Sequence, residues 1–250
     1  MTFADRIRFV LIEPSHPGNI GSAARAMKTM GWSDLRIVAP RFADALSSPD
    51  ALAYASGAAD VLHAARVHER FDEAVADTTL VIGFAARTRE FAPPRVGLEE
   101  ACALAMSEVT ASNASSVAFV FGTERIGLTN EQAQRCDRLA YIDAEPTYSS
   151  LNLAQSVQVA AYELRRTARM RGTSELDVER PDYASHEEIE RFHAHFREAC
   201  VAVGFIDPEH PKKLAERMRR LFARTRLERE EVQLLRGLCK QMVLSGQRKG

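Results

Sequence analysis

Three stretches of the chain combine chemically capable side chains with turns that can bring them to a ligand. In "FVLIEPSHPGNIGSAARAMKTMG", from Phe9 to Gly31, an aliphatic run gives way to a proline-flanked turn and then to Asn19 and Arg25. In "FVFGTERIGLT", from Phe119 to Thr129, an apolar run ends at Gly122 and continues into Glu124 and Arg125. In "YSSLNLAQS" Ser149, Ser150 and Asn152 stand at the entry to a helical pattern. Each stretch also has a plain structural reading. Asn19 can cap a helix beginning at Ile20 and ending at Gly31, Glu124 and Arg125 can form a surface ion pair, and Ser149, Ser150 and Asn152 can cap the helix that follows. Arg25 does not belong to the apolar stripe of its helix, because it points roughly 160° away from Met27.

Several other chemistries are excluded or weakened. The spacing of Gly122 and Gly127 suggests a P-loop, but Leu128 occupies the position of the phosphate-holding lysine. No G-x-G-x-x-G occurs, which weakens a dinucleotide-binding reading, and no G-x-S-x-G surrounds any serine. His193 and His195 diverge on a helix, and His63 and His68 lack a carboxylate pattern, so no metal site is expected. Cys102, Cys136, Cys200 and Cys239 are far apart with no C-x-x-C pair, as befits reduced, partly buried thiols.

The elements that must position these residues follow from periodicity. Short β-branched or aliphatic runs at 9–12, 35–38, 80–83, 117–121 and 139–142 alternate with helical patterns at 20–30, 68–76, from Gly97, and 153–170. This alternation predicts an α/β domain, residues 1–170, with a parallel sheet covered on both faces. Ligands of such sheets bind beyond the carboxyl ends of the strands, where all three stretches fall. A polar, proline-broken segment at 171–184 reads as a linker, and 185–250 shows only helical spacing, with a capping box at Ser185 and Glu188. At 250 residues, 46% hydrophobic and with a formal net charge of -1, the chain can bury a full core and does not advertise a nucleic-acid binder by charge alone. With no signal-peptide pattern and no run approaching the roughly 18 apolar residues of a membrane span, a cytoplasmic protein is expected.

As an ordered set, the three stretches resemble the SpoU branch of the SPOUT methyltransferases. The N-x-G-x-x-x-R motif matches Asn19 to Arg25, the F-G-x-E-x-x-G-L motif matches Phe121 to Leu128, and S-L-N matches Ser150, Leu151 and Asn152. Within that branch the chain is similar to the TrmJ group of tRNA 2′-O-ribose methyltransferases, whose helical extension resembles the sequence from Arg217 onward. The resemblance implies a trefoil-knotted α/β domain, an exception to the usual absence of knots, followed by a small all-helical domain. It also implies S-adenosyl-L-methionine as cofactor, a homodimer in which both subunits assemble the site, and tRNA as substrate. The target would be cytidine or uridine at position 32 of the anticodon loop.

Carried onto this sequence, the resemblance makes Asn19, Arg25, Glu124, Ser150 and Asn152 catalytic. Gly83, Phe84, Ala85, Ala86, Gly122, Ile142, Ser149, Ser150 and Leu151 would form the cofactor pocket. Phe84, Ala85 and Ala86 depart from the small polar residues usual at their positions, which leaves backbone contacts to do the binding. Basic residues at Arg87 and Arg89, just past a strand end, and at Arg217, Arg219, Arg220, Arg224 and Arg226 offer RNA-binding surfaces, with a solvated helix face as the alternative for the second group. Other readings to be weighed are a methyltransferase acting elsewhere on tRNA or on rRNA, a non-catalytic module gripping structured RNA, and a different α/β enzyme using a nucleotide cofactor.

Overall fold

The computed structural model describes residues 3–87, 91–171, 181–210 and 212–247. In chain order the elements are β1 (Ile7–Ile12), α1 (Pro17–Thr29), β2 (Asp34–Val38), α2 (Pro49–Ala55), α3 (Ala59–Ala64), β3 (Arg66–His68), α4 (Phe71–Val75) and β4 (Leu80–Phe84). There follow β5 (Arg95–Gly97), α5 (Leu98–Ala111), β6 (Val117–Phe121), α6 (Asn130–Gln134), β7 (Arg138–Tyr141) and α7 (Leu153–Arg171). Then come α8 (His186–Ala202), α9 (Leu214–Thr225) and α10 (Arg229–Gln247). Among the described residues the seven strands form one sheet in the order β3-β2-β1-β6-β4-β7-β5, and every pairing is parallel.

Side-chain alternation builds a core on each face of that sheet. Ile7, Phe9 and Leu11 of β1 point into the larger core with Phe119 and Phe121 of β6, under α1, α5 and α7. Val10 and Ile12 point the other way, into a second core with Val81, Val120, Leu128 and Phe71. Helices α8, α9 and α10 enclose a third, separate apolar cluster around Phe192, Leu227, Val232 and Cys239.

The five expected strands are all present, and the two unexpected ones are the edges of the sheet. β3 is three residues long with Arg66 and Val67 exposed, and β5 is three residues long and follows Pro93 and Pro94. Short, charged or proline-flanked edge strands carry no apolar run for periodicity to detect. The helical pattern expected over 68–76 begins later, because His68 ends β3 and α4 starts at Phe71. The capping box of Ser185 and Glu188 is formed, with the Glu188 amide donating to Ser185 Oγ at 3.3 Å and the Ser185 amide to Glu188 Oε2 at 2.8 Å. Most of the expected linker, residues 172–180, lies outside the described residues.

Candidate active site

The loops after β4, β6 and β7 meet at one end of the sheet and enclose a cleft of about 600 Å³. Its walls are Phe84 to Arg87, Phe121 to Leu128, Ala140 to Ile142, and Ser149 to Leu151 with Leu153 and Ser156. Eight of the nine residues expected to bind cofactor line it: Phe84, Ala85, Ala86, Gly122, Ile142, Ser149, Ser150 and Leu151. Gly83 does not. It is buried within β4, where a Cβ would stand 2.7 Å from both Cys136 Sγ and Leu128 Cδ1. Gly122 keeps the loop after β6 closed on itself. A Cβ there would fall 2.1 Å from the Gly127 carbonyl carbon and 2.2 Å from the Leu128 nitrogen, and the Gly127 amide donates to the Thr123 carbonyl at 2.9 Å.

Beside the cleft, one chain of hydrogen bonds joins all three motifs. Asn152 Nδ2 donates to Asn19 Oδ1 at 3.0 Å, and Asn19 Nδ2 donates to Glu124 Oε1 at 3.1 Å. Glu124 also accepts from the backbone amides of Ser15 and His16 and from the Ser15 hydroxyl. Burial acts most strongly on its carboxyl and pushes the pKa up, but the bonds from Asn19 and Ser15 outweigh it and hold the group below the usual carboxylate range. Asn152 has a second duty as the cap of α7, its Oδ1 accepting from the amides of Ala154 and Gln155.

Asn19, by contrast, is not a helix cap. Pro17 starts α1, with His16 in the capping position and making no side-chain cap bond, so Asn19 falls in the first turn and its amide is available to Glu124. Gly21, inside the first motif, serves packing: a Cβ there would meet the Ala51 carbonyl oxygen of α2 at 2.1 Å. Arg25 is exposed, forms no hydrogen bond or ion pair with any described residue, and does not line the cleft of its own chain. Ser150 is exposed on the cleft wall and caps nothing.

Arg87 stands exposed on the cleft rim, whereas Arg89 lies outside the described residues. The carboxyl-terminal arginines divide into two sets. Arg219 is paired with Glu190 at 2.7 Å, and Arg226 lies over the Tyr183 ring and donates to buried Glu108 at 2.9 Å, so both side chains are engaged by partners within the fold. Arg217, Arg220 and Arg224 are exposed, and their spacing puts them on one face of α9. Arg217 and Lys213 reach toward the Phe91 ring, at 5.8 and 4.9 Å, in the segment that leads from the cleft rim to β5. Sequence reasoning passed over Ser15 and His16; their one signal was their place immediately before the first motif.

Known proteins match this arrangement along nearly the whole chain. Residues 6–162 match the SpoU rRNA Methylase family, and residues 187–250 match the carboxyl-terminal domain of the tRNA methyltransferase TrmJ. The tRNA (cytidine/uridine-2'-O-)-methyltransferases TrmJ of Klebsiella pneumoniae and Escherichia coli K12 are 44% identical over 93% of this chain, covering 94% and 93% of their own lengths. The crystal structure of TrmJ from Z. mobilis ZM4 superposes with a TM-score of 0.78 at 32% identity, covering 94% of this chain and 98% of that one. A structure described as giving insights into the 2-OH methylation of C/U34 on tRNA is 30% identical over 66% of this chain and 97% of its own, with a TM-score of 0.52. With a family model spanning more than half its length and TrmJ relatives aligned almost end to end, the chain belongs to the SpoU methylase family, in its TrmJ group.

Proposed function

We propose that this protein transfers a methyl group from S-adenosylmethionine to the ribose 2′-hydroxyl of a cytidine or uridine in tRNA, with nucleotide 32 of the anticodon loop as its target. The observation that carries the reading is the chain of bonds from Asn152 through Asn19 to Glu124, which ties the three family motifs together at the wall of one cleft. The activity named for the TrmJ relatives supports it.

The cleft suits the cofactor. Its volume falls within the roughly 300–1,000 Å³ usual for small-molecule sites, and Phe84, Phe121, Leu128 and Ile142 give it apolar walls beside backbone and Glu124. When bound, S-adenosylmethionine supplies an electrophilic methyl group on a sulfonium. Phe84 to Ala86, Gly122, Ile142 and Ser149 to Leu151 would hold it, and the segments that carry them after β4, β6 and β7 would form the trefoil knot of the family. Glu124 orients the turn before α1, and Asn19 and Asn152 lock that turn to the start of α7. Ser150 would contact the ribose or its loop.

Arg25 is the cation we assign to the substrate. A guanidinium stays protonated in proteins, so it binds the neighbouring phosphate and steadies charge developing on the ribose oxygen and does not act as a base. Because Arg25 stands exposed and away from its own chain's cleft, it is assigned to the cleft of a second copy, which makes the working unit a homodimer. Residues 185–250, with Arg217, Arg220 and Arg224, act as a separate helical unit that positions tRNA, together with Arg87 at the rim. The cytoplasm, where tRNA is modified, is the expected compartment; no helix among the described residues is long and apolar enough to cross a membrane.

Mapping ribose methylation in tRNA from cells with and without the protein tests the whole reading. Loss of methylation at nucleotide 32 is expected. Loss at nucleotide 34 or in rRNA would reassign the target, and an unchanged map with RNA binding intact would leave a non-catalytic module.

A further inference from the structure

A ribose hydroxyl gives up a proton as it is methylated; the neighbouring phosphate or water could accept it, but none of the side chains assigned so far can take it. Arg25 stays protonated, the asparagines and Ser150 are not bases, and the Glu124 carboxylate already receives bonds from Ser15, His16 and Asn19. His16 differs from all of these. Its side chain is 74% exposed, it caps nothing although it precedes α1, and its Nδ1 lies 2.8 Å from Ser15 Oγ and 3.8 Å from Glu124 Oε1.

The directions of these bonds fix the ring's proton. Glu124 is an ionised carboxylate at neutral pH and can only accept, so Ser15, whose Oγ lies 2.9 Å from Glu124 Oε2, must donate its single hydroxyl proton there. Ser15 Oγ can then only accept from the imidazole. The neutral ring therefore carries its proton on Nδ1 and leaves the Nε2 lone pair open, the orientation in which an anchored histidine works as a general base. Glu124, from the loop after β6, is the charged group that faces the ring among the described residues.

We propose that His16 Nε2 accepts the proton of the ribose 2′-hydroxyl, with Ser15 and Glu124 as positioning residues that hold the ring in its Nδ1–H form. The inference rests on the 2′-O-methyl transfer proposed above. The ribose O–H bond breaks with its electron pair left on oxygen, and the oxygen bonds to the methyl carbon as the carbon–sulfur bond breaks with its pair left on sulfur. The proton goes to Nε2 and then to water. In-line displacement would put the ribose oxygen on the side of the methyl carbon away from sulfur, so the proton would be released outside the cofactor cavity. His16 is anchored to the cavity wall through Glu124 without being part of that wall.

Two independent measurements test this. In the free protein, the ring ¹⁵N shifts of neutral His16 should report protonated Nδ1, and Ser15→Ala should move them toward the mixture of an unanchored imidazole. In single turnover at saturating tRNA, His16→Ala should slow transfer about 10²–10⁴-fold. It should also remove the acid limb of the pH–rate profile, regain rate with added imidazole, and keep the parent's cofactor affinity by calorimetry. A ring protonated on Nε2, or a His16→Ala enzyme with parental rate and an unchanged acid limb, overturns the proposal. A parent inactive on tRNA would instead overturn the functional reading, and the ring's tautomer would still decide the assignment of Nδ1.

Discussion

Arg25 and Asn19 began as two polar residues on one helix, and the structure separates their duties. Asn19 is fixed on both sides, to Asn152 and to Glu124, whereas Arg25 extends into solvent. Because Arg25 supports neither the apolar stripe of α1 nor any described partner, Arg25→Ala should leave thermal stability and cofactor affinity at parental values. It should cost transfer about 10²–10³-fold, the usual loss for one transition-state donor. Turnover within a factor of two of the parent would remove Arg25 from the site. Arg25→Lys should recover only part of the rate, since an ammonium lacks the planar fork of the guanidinium. The separate character of Arg25 was legible in the sequence because it depends on helical phase alone. The contacts of Asn19 were not, because the turn from Pro14 to Pro17 starts the helix at Pro17, three residues before the Ile20 start that an Asn19 cap implies, and frees the amide for a partner 105 residues away.

At the scale of elements, the interior strands announced themselves and the edges did not, for a reason that also bears on the cleft. β1, β4 and β6, whose carboxyl ends carry the site together with that of β7, are buried and mostly apolar runs that periodicity must find, while β3 buries none of its three residues and β5 sends only Val96 into the core. What periodicity could not supply is the closeness of backbones around Gly122. Gly122→Val would drive its side chain into Gly127 and Leu128, so the loss of cofactor affinity expected on calorimetry comes from a reshaped loop, not from a direct clash with the ligand. Lower thermal stability should accompany it; unaltered affinity and melting would show that the loop can yield. Phe84, the first of the three residues that depart from the family pattern, is a core residue, 9% exposed and stacked on Phe121 with centroids 4.3 Å apart. Phe84→Thr should therefore lower stability by about 3 kcal/mol, in the range of large-to-small core changes, without tightening cofactor binding. Urea unfolding with calorimetry on the same variant distinguishes this from a gained polar contact.

At the scale of the whole molecule, the helical unit meets the sheet domain through polar contacts and through the His186 ring, which packs edge-on against Phe71 with centroids 5.9 Å apart. The His186 amide donates to the Thr78 carbonyl at 2.8 Å, Arg138 donates to the Ala223 carbonyl at 2.7 Å, and Arg226 pairs with Glu108. His193 lies by this joint beside Arg219 and Glu190, and burial, reinforced by Arg219, pushes its pKa from 6.5 down to about 3. The unfolded chain thus binds a proton that the folded chain refuses, so stability from this group is full above pH 6.5 and is lost as pH falls from there toward about 3. His193→Phe, which keeps a ring against Phe192 and Phe222, should flatten the decline of melting temperature across that window. An identical decline in parent and variant would shift the acid sensitivity to other groups.

The same polar joint decides what removal of the extension should do. The third apolar cluster is contained within the helical unit and its flanks, with no member from the sheet domain, so a chain ending at Arg171 exposes polar partners such as Glu108 more than it exposes core. That truncated protein should remain folded and keep its cofactor affinity, since every residue lining the cleft precedes the cut. Its affinity for tRNA should fall, and the dependence of binding on salt should flatten by a slope of about 0.7–0.9 for each phosphate that the protein no longer neutralises. Replacing Arg217, Arg220 and Arg224 together with alanine in the full chain should reproduce most of that flattening, because these are exposed, while Arg219→Ala should instead lower stability by breaking its pair with Glu190. A truncated protein that binds and methylates tRNA as the parent does, with the same salt slope, would reduce the arginine face of α9 to a solvated surface. If the truncated protein fails to fold, the triple alanine variant alone still separates binding of RNA from support of the fold.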